Sequence, residues 1–329
     1  MVYLNCRNKN RSAETGVIMD FRELNYVLAI AKQQSITKAA DALYIGQPTL
    51  SKFLITLEDN LGLKLFRKVG HKYMLTYAGE RYVEKATQIL QMKNDLDVEM
   101  ADIIKRDVGV LNVAFANMRC TSMLPCTLPA FQKLHPNVKV NIFEGTSDEN
   151  DHRLLDGQVD VAFYSKSGST NSQIEYETLW EEELLICTSK GHPLGRFAKP
   201  NHASQYLKLD PALLKNELIL LMMPGQRTRQ VMDDYFHDHN IKFENIIYTS
   251  NMPAIMELVS IGYGVSFIFE SHLLRRPENI SLDCFSFGEP RMLFDFVAAY
   301  RKGGYISSYT RDFIEIARRA GTATPESGE

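Results

Sequence analysis

The 329-residue chain has no apolar run near the roughly 18 residues that a membrane-spanning helix requires, so no span is expected. Cysteine is sparse. Cys6, Cys120, Cys126, Cys187 and Cys284 are scattered and form no Cys-x-x-Cys pair, which suits a reducing cytoplasm better than a disulfide scaffold. A Walker A loop, Gly-x-Ser-x-Gly and His-Glu-x-x-His are all missing. Gly262-Tyr-Gly264 lacks the third glycine of a dinucleotide fingerprint, and His237 and His239 fall on different faces of a helix, unlike a zinc pair. The case for an enzyme, a cofactor or a metal is therefore thin. An excess of positive charge is missing too. At net -3 the molecule is no polycation, and any nucleic-acid surface must be local. The first 18 residues are polar and basic with no apolar segment, so they do not read as a signal peptide; they read as a disordered extension or a misassigned start before Met19. Residues 319–329 read as a loose tail.

What is present is ordinary globular material, 45% hydrophobic and 23% charged, in a chain long enough for two or three domains. Asp20 and Glu23 form a capping box for a first helix to about residue 32, with Leu24, Val27, Leu28 and Ala31 on one face. Ser35 can cap a second helix over 36–43, in which Ala39 and Ala40 allow close approach. After the turn "YIG", Gly46 or Gln47 caps a third helix with Pro48 in its first turn, where a missing N–H costs nothing. Leu50, Leu54, Leu57 and Leu61 make its inner stripe, leaving Pro48, Thr49, Lys52 and Thr56 outside. Two strand-like runs, 65–68 and 73–76, flank Gly70 as a hairpin. From Lys32 to Lys72, seven cations face three anions, a local excess of about +4 of the kind phosphate contact needs.

A helix pair in an ordinary core is one account of residues 39–59. The other is a helix-turn-helix that reads DNA, which explains why Gln47, Thr49 and Lys52 are aligned outward beside a basic hairpin. Gln can bond adenine, Thr can touch a thymine methyl, and Lys can reach guanine or phosphate, with Pro48 and Ser51 flanking that face. Arg67, Lys68, His71 and Lys72 either solvate the hairpin tip or contact phosphate. From residue 76 to about 106, Tyr82, Ala86, Ile89, Lys93, Leu96, Met100 and Ile103 recur as a heptad seam with one polar break. So narrow an apolar seam on a long helix calls for a partner chain.

Beyond residue 106 the period changes. Short apolar runs ("GVLNVAFA", "VKVNIFE", "VDVAFY", "ELLICTS", "ELILLM", "ENIIYTS", "GVSFIFE", "LFDFVAAY") alternate with helical patterns over 123–134, 149–155, 228–239, 252–261 and 309–318. That order predicts parallel βαβ units in two subdomains. "FANMRCTS" stands at a strand-to-helix junction, where backbone N–H groups face anions, making Asn117, Arg119, Thr121 and Ser122 candidate ligands. Thr146 and Ser147 follow the second strand in the same way, and "MPGQRTRQ" adds Gln226, Arg227 and Thr228; ordinary surface loops are the competing account of each.

The blocks "SITKAADALYIGQPTLSKFLITLEDNLGLKLFRK" and "LTYAGE", continued by "LPAFQKLHPNVKVNIFEG", "LLDGQVDVAFY", "GHPL" and "LVSIGYGVSFI", resemble the LysR-type transcriptional regulators from Met19 to about Arg318. The chain departs from that pattern at Gly46, where Ser or Thr is usual, at Phe53, where a polar residue is common, and at Lys68 and His71, where Arg is usual. The resemblance implies an α/β multidomain protein: a winged helix-turn-helix over 19–78, a linker helix over 79–107, and an effector domain over 108–318. That domain would have two Rossmann-like halves, 108–180 with 288–318 and 181–287, like periplasmic solute-binding proteins. It also implies double-stranded DNA as partner, a homodimer through the long helix that often assembles into a tetramer, and a small effector in the cleft between the halves. Arg119 and Arg227 beside helix N-termini favour a carboxylate-bearing metabolite, with Thr121, Thr146 or Ser147 bonding the remaining oxygens. The alternative is a neutral or apolar ligand bounded by Met118, Phe163 and Met223. Cys120 either lines the pocket or senses redox state. From another class, the chain could be a solute receptor or enzyme on the same scaffold, with its N-terminal helices serving only assembly.

Overall fold

The computed structural model describes residues 20–103, 108–117, 119–166, 170–224, 227–274 and 276–322. The expected extension over 1–18 and residues 323–329 of the expected tail lie outside the described residues. The chain divides into two compact units at Asp95/Leu96.

In the first unit, α1 (Phe21–Gln33) starts on Asp20, whose carboxylate accepts from Arg22 N while Glu23 completes the capping box. Its buried row is Leu24, Val27 and Ile30; Leu28 and Ala31, expected inside, are only half-buried. The core thus meets α1 one step round the helix from the expected face. α2 (Ile36–Ala42) is capped by Ser35, and its buried Ala39 and Ala40 let α3 (Gln47–Leu61) approach. Leu50, Leu54 and Leu57 are buried on the inner face of α3. Strands β1 (Phe66–Val69) and β2 (Lys72–Leu75) pair antiparallel across Gly70, whose φ of 60° suits a residue without Cβ. Glu58 lies buried at the foot of this hairpin because its Oε1 accepts from Leu65 N (2.9 Å) and Phe66 N (3.1 Å). Helix α4 (Tyr77–Ile103) follows. Gly79 in its first turn lies so close to the hairpin that a Cβ there would meet the Leu65 carbonyl oxygen at 2.0 Å, so α4 could not start where it does with any other residue.

In the second unit, nine strands among the described residues form one sheet, ordered β4-β3-β5-β11-β6-β9-β7-β8 with β10 added on β6. The strands are β3 (Gly109–Ala116), β4 (Val138–Gly145), β5 (Val161–Lys166), β6 (Ile174–Ser189), β7 (Leu218–Leu221), β8 (Asn245–Tyr248), β9 (Val265–Phe269), β10 (Leu282–Phe285) and β11 (Leu293–Arg301). The helices are α5 (Cys120–Leu134), α6 (Ser147–Leu155), α7 (Arg227–Asp238), α8 (Met252–Ser260), α9 (Glu270–Leu273) and α10 (Ser308–Thr322). β3 is parallel to β4 and β5, and β7 is parallel to β8 and β9, so each half is a βαβ layer. β6 joins the halves: it pairs with β11 as far as Glu183 and with β9 from Leu184 onward. One core gathers Phe115, Phe131, Phe163, Phe296 and Phe313; another gathers Ile186, Ile219, Phe236, Phe267 and Phe287.

Three elements differ from those expected. β6 starts at Ile174, well before the expected residue 183, because Glu175, Glu177 and Glu181 alternate with apolar neighbours on a half-buried strand. β10 was not expected at all. Residues 319–322 are helical, since Trp180 packs on the bare backbone of Gly321, where a Cβ would meet the indole at 2.1 Å.

Candidate functional site

Opposite its buried leucines, α3 exposes Gln47, Pro48, Thr49 and Lys52, with Ser51 half-buried at the margin. The helix begins at Gly46 without a side-chain cap. Ile55 is 53% exposed, one turn beyond Ser51, and Thr56, one turn beyond Lys52, bonds back to the Lys52 carbonyl at 3.0 Å. Ile55 was missed in the sequence, although its i+4 spacing from Ser51 places it on the same face. Phe53 points the other way and packs edge-on against Tyr26 at 5.1 Å, so the departure at that position serves the core. Arg67, Lys68, His71 and Lys72 are all exposed on the hairpin. Lys64 does not add to this group: its ammonium sits 2.9 Å from Glu58 Oε2 and 3.8 Å from Asp59. Among the described residues, no carboxylate pairs with Lys52, Arg67, Lys68 or Lys72. An exposed hydrogen-bonding helix beside unneutralised cations on a hairpin is the geometry of a winged helix-turn-helix.

Residues 21–80 match the bacterial regulatory helix-turn-helix, LysR family model, and residues 105–322 match the LysR substrate binding domain. The chain belongs to the LysR family. It is a LysR-type, ligand-responsive transcriptional regulator. Among its relatives, the HTH-type transcriptional regulator YybE of Bacillus subtilis (strain 168) is 26% identical over 250 residues, covering 76% of this chain and 82% of the relative. HTH-type transcriptional regulator CysB of Haemophilus influenzae (strain ATCC 51907 / DSM 11121 / KW20 / Rd) is 26% identical over 302 residues, covering 90% and 89%. The crystal structure of full-length CbnR complexed with the target DNA superposes with a TM-score of 0.56 at 25% identity, covering 92% of this chain and 100% of CbnR. No helix among the described residues is long and apolar enough to cross a membrane.

In this LysR-type regulator the junctions after β3 and β4 lie together at one sheet edge, tied by Asn117 N donating to Gly145 O at 2.8 Å. The second half repeats the arrangement, with Thr249 N donating to Leu221 O at 3.0 Å. Asn251, capping α8 through Ala254 N (3.0 Å), is a further polar residue at that edge. Sequence reasoning overlooked it, although an Asn directly ahead of a helical pattern is a cap signal.

Arg119 is not a free guanidinium. Its side chain is 5% exposed and ion-paired to Glu182, itself 2% exposed. Nη2 also donates to Ser165 Oγ and Nη1 to Ser271 Oγ, both at 2.5 Å, while the two hydroxyls donate to the Glu182 carboxylate. Phe269 and Phe296 each face the guanidinium at 4.8 Å. The cluster thus draws on β5, β6 and α9 from both halves, and Arg119 has no fork left for a ligand. Next to it, buried His272 is held neutral, its pKa driven well down by burial and by the Arg119 charge. On the other side of the crossing, Glu183 is buried and accepts from Ser204 Oγ (2.7 Å), Ser286 Oγ and Arg291 Nη1 (3.3 Å).

Phe163 is also moved from the expected site. It is fully buried and stacks on Phe115 at 5.2 Å, inside the core. Cys120 is buried, with its thiol pushed up to about 12 chiefly by burial, so it holds almost no thiolate near neutrality. Thr146 caps α6 by accepting from Glu149 N at 3.2 Å, and Glu149 accepts from Thr146 N at 2.7 Å, so this helix start already holds its own carboxylate. Thr121 is exposed in the first turn of α5, and Ser147 opens α6 half-buried. Arg227 and Thr228 open α7; Gln226 and Met118 lie outside the described residues.

Proposed function

We propose that this regulator reads base edges with Gln47, Thr49 and Lys52, and grips phosphates with Arg67, Lys68, His71 and Lys72. Pro48, Ser51 and Ile55 shape the approach of α3. The exposed polar face of α3, opposite the buried Leu50, Leu54 and Leu57, is the observation that carries this reading. The DNA in the CbnR complex supports it by likeness. The working unit is a homodimer, and its tetramer is a pairing of such dimers. Ile89, Met92, Leu96 and Met100 stand exposed along α4, Met92 by 69%, and they call for cover by a second copy. Beside them an apolar groove of about 370 Å³ is lined by Leu24, Leu61, Leu65, Ala86 and Ile89, and the Tyr82 hydroxyl is buried there with no partner among the described residues.

The effector is a small carboxylate-bearing metabolite bound between the two halves. With Arg119 neutralised and α6 closed by Glu149, its anchors are the first-turn N–H groups of α5, with Asn117 and Thr121, and Arg227 with Thr228 at the start of α7. Thr146 and Ser147 at the start of α6 and Cys120 at the start of α5 complete the candidate set. The test is a binding screen of the full-length protein against small carboxylic acids and their amides, followed by calorimetry. Arg227→Ala should weaken the acid at least tenfold and leave an amide analogue unchanged. Equal binding of acid and amide to the parent protein would remove the anion site.

A further inference from the structure

Two cysteines that stand 97 residues apart in the chain come together across a strand pair. Cys187 on β6 and Cys284 on β10 are direct antiparallel partners, and their sulfurs are 3.4 Å apart, with the Cys187 thiol donating to Cys284. Directly opposed antiparallel residues have Cα separations of about 4.5–5.5 Å, inside the roughly 4.4–6.8 Å range of a disulfide. Closing to a bond of about 2.05 Å asks for side-chain rotation of little more than 1 Å. The two sulfurs differ in access. Cys187 is fully buried in the core formed with Leu185, Leu220, Ile255 and Ile268, whereas Cys284 on β10 is half-buried and packs against the outside of that core. They differ in acidity as well. Cys284 is lowered, first by the hydrogen bond from Cys187 and then by Arg276 and Lys190, against its burial and the neighbouring Asp283 carboxylate; Cys187 is held well up by burial. The place also matters. β6 enters this half of the domain at Leu184, and β10 leads through Phe285, Ser286 and Phe287 to the return crossing into β11. The pair therefore joins the two strands that run into the two crossings between the halves.

We propose that Cys187 and Cys284 are a redox pair, which a hydroperoxide closes to an intramolecular disulfide that locks β6 to β10. The Cys284 thiolate attacks one peroxide oxygen; the O–O bond breaks, and hydroxide leaves and takes up a proton to become water. Cys284 is then a sulfenic acid. The Cys187 sulfur attacks it, the S–S bond forms, the S–O bond breaks, and the hydroxyl leaves as water with the Cys187 proton. Two thiols and one hydrogen peroxide become one disulfide and two waters, and a small dithiol reverses the reaction. This is independent of which effector the cleft accepts.

The test treats the full-length, reduced protein with a small molar excess of hydrogen peroxide, blocks remaining thiols under denaturing conditions, and maps the peptides without reduction. The expected product is a peptide from β6 linked to one from β10, with free thiols falling from five to three per chain, restored by dithiothreitol. Cys187→Ser should leave a sulfenic acid at Cys284 that a dimedone probe traps, and Cys284→Ser should leave Cys187 a thiol. The proposal is overturned if both cysteines stay reduced at a peroxide dose that oxidises exposed Cys126. It is equally overturned if Cys284 links to any sulfur other than Cys187, or if Cys187 oxidises in the Cys284→Ser protein. The parent peptide map decides the matter even if a serine variant folds poorly.

Discussion

Arg119→Met would leave the Glu182 carboxylate 2% exposed with no cation, and the effector domain should lose much of its stability. Removing one partner of a buried ion pair costs about 3–5 kcal/mol, because the remaining charge stays out of water. Met keeps most of the contact with Phe269 and Phe296 but forfeits two cation–π contacts at 4.8 Å, each worth about 0.5–2 kcal/mol. Glu182→Leu should cost a similar 3–5 kcal/mol, since it strands the guanidinium. The double variant restores neutrality. It still strands the Ser165 and Ser271 hydroxyls, at about 1–3 kcal/mol each, so it should fall short of the sum of the singles by about 2 kcal/mol or more. Urea unfolding can be followed by Trp180, the single tryptophan of the chain, which stacks on Phe296 at 4.3 Å two residues from Glu182. Single variants losing under about 1 kcal/mol, or a double variant equal to the sum, would refute the pair as a coupled structural link and reopen Arg119 as a ligand.

Gln47→Ala and Lys52→Ala should each relax discrimination at their own base pairs by about 1–3 kcal/mol in gel-shift titrations. Lys72→Ala should instead weaken all sequences alike and lower the salt slope by about 1; a sequence-selective loss there would exchange the two roles. Leu96→Glu places a charge on the exposed apolar row of α4 and should yield monomers in sedimentation, whereas an intact dimer would show that another surface mediates assembly. His272 is neutral in the fold, but the unfolded chain binds a proton as pH falls below about 6.5, so stability is complete above that pH and declines below it by up to about 1.4 kcal/mol per pH unit. His272→Leu should flatten that decline, and an unchanged slope would mean that other groups cause it.

The helix-turn-helix was legible because its signals are local. A capping box at Asp20, a proline in the first turn of α3, leucines at helical spacing and a glycine hairpin each act within a few residues, and the outward face of Gln47, Thr49 and Lys52 follows from helical geometry alone. The βαβ alternation was legible for the same reason, since continuous apolar runs mark strands buried on both faces. The polar interior was not. Nothing local in "WEEE" marks a glutamate for burial, yet Glu182 and Glu183 are buried on the strand that joins the two halves, because Arg119, Ser165 and Ser271 gather round the first and Ser204, Ser286 and Arg291 round the second. Cys187 and Cys284 likewise looked unrelated at a separation of 97 residues. Their proximity depends on β10, a short strand with an aspartate that gives no periodic signal of its own and exists only as a partner to β6. Sequence alone determines most segments as helix or strand and most apolar faces, because these depend on neighbours a turn or a residue away; β10, the early start of β6 and the end of α10 needed their tertiary partners. Which charges neutralise one another, which thiols touch and which arginine is spent on its own protein are decided only when chain crossings bring distant residues into one low-dielectric space.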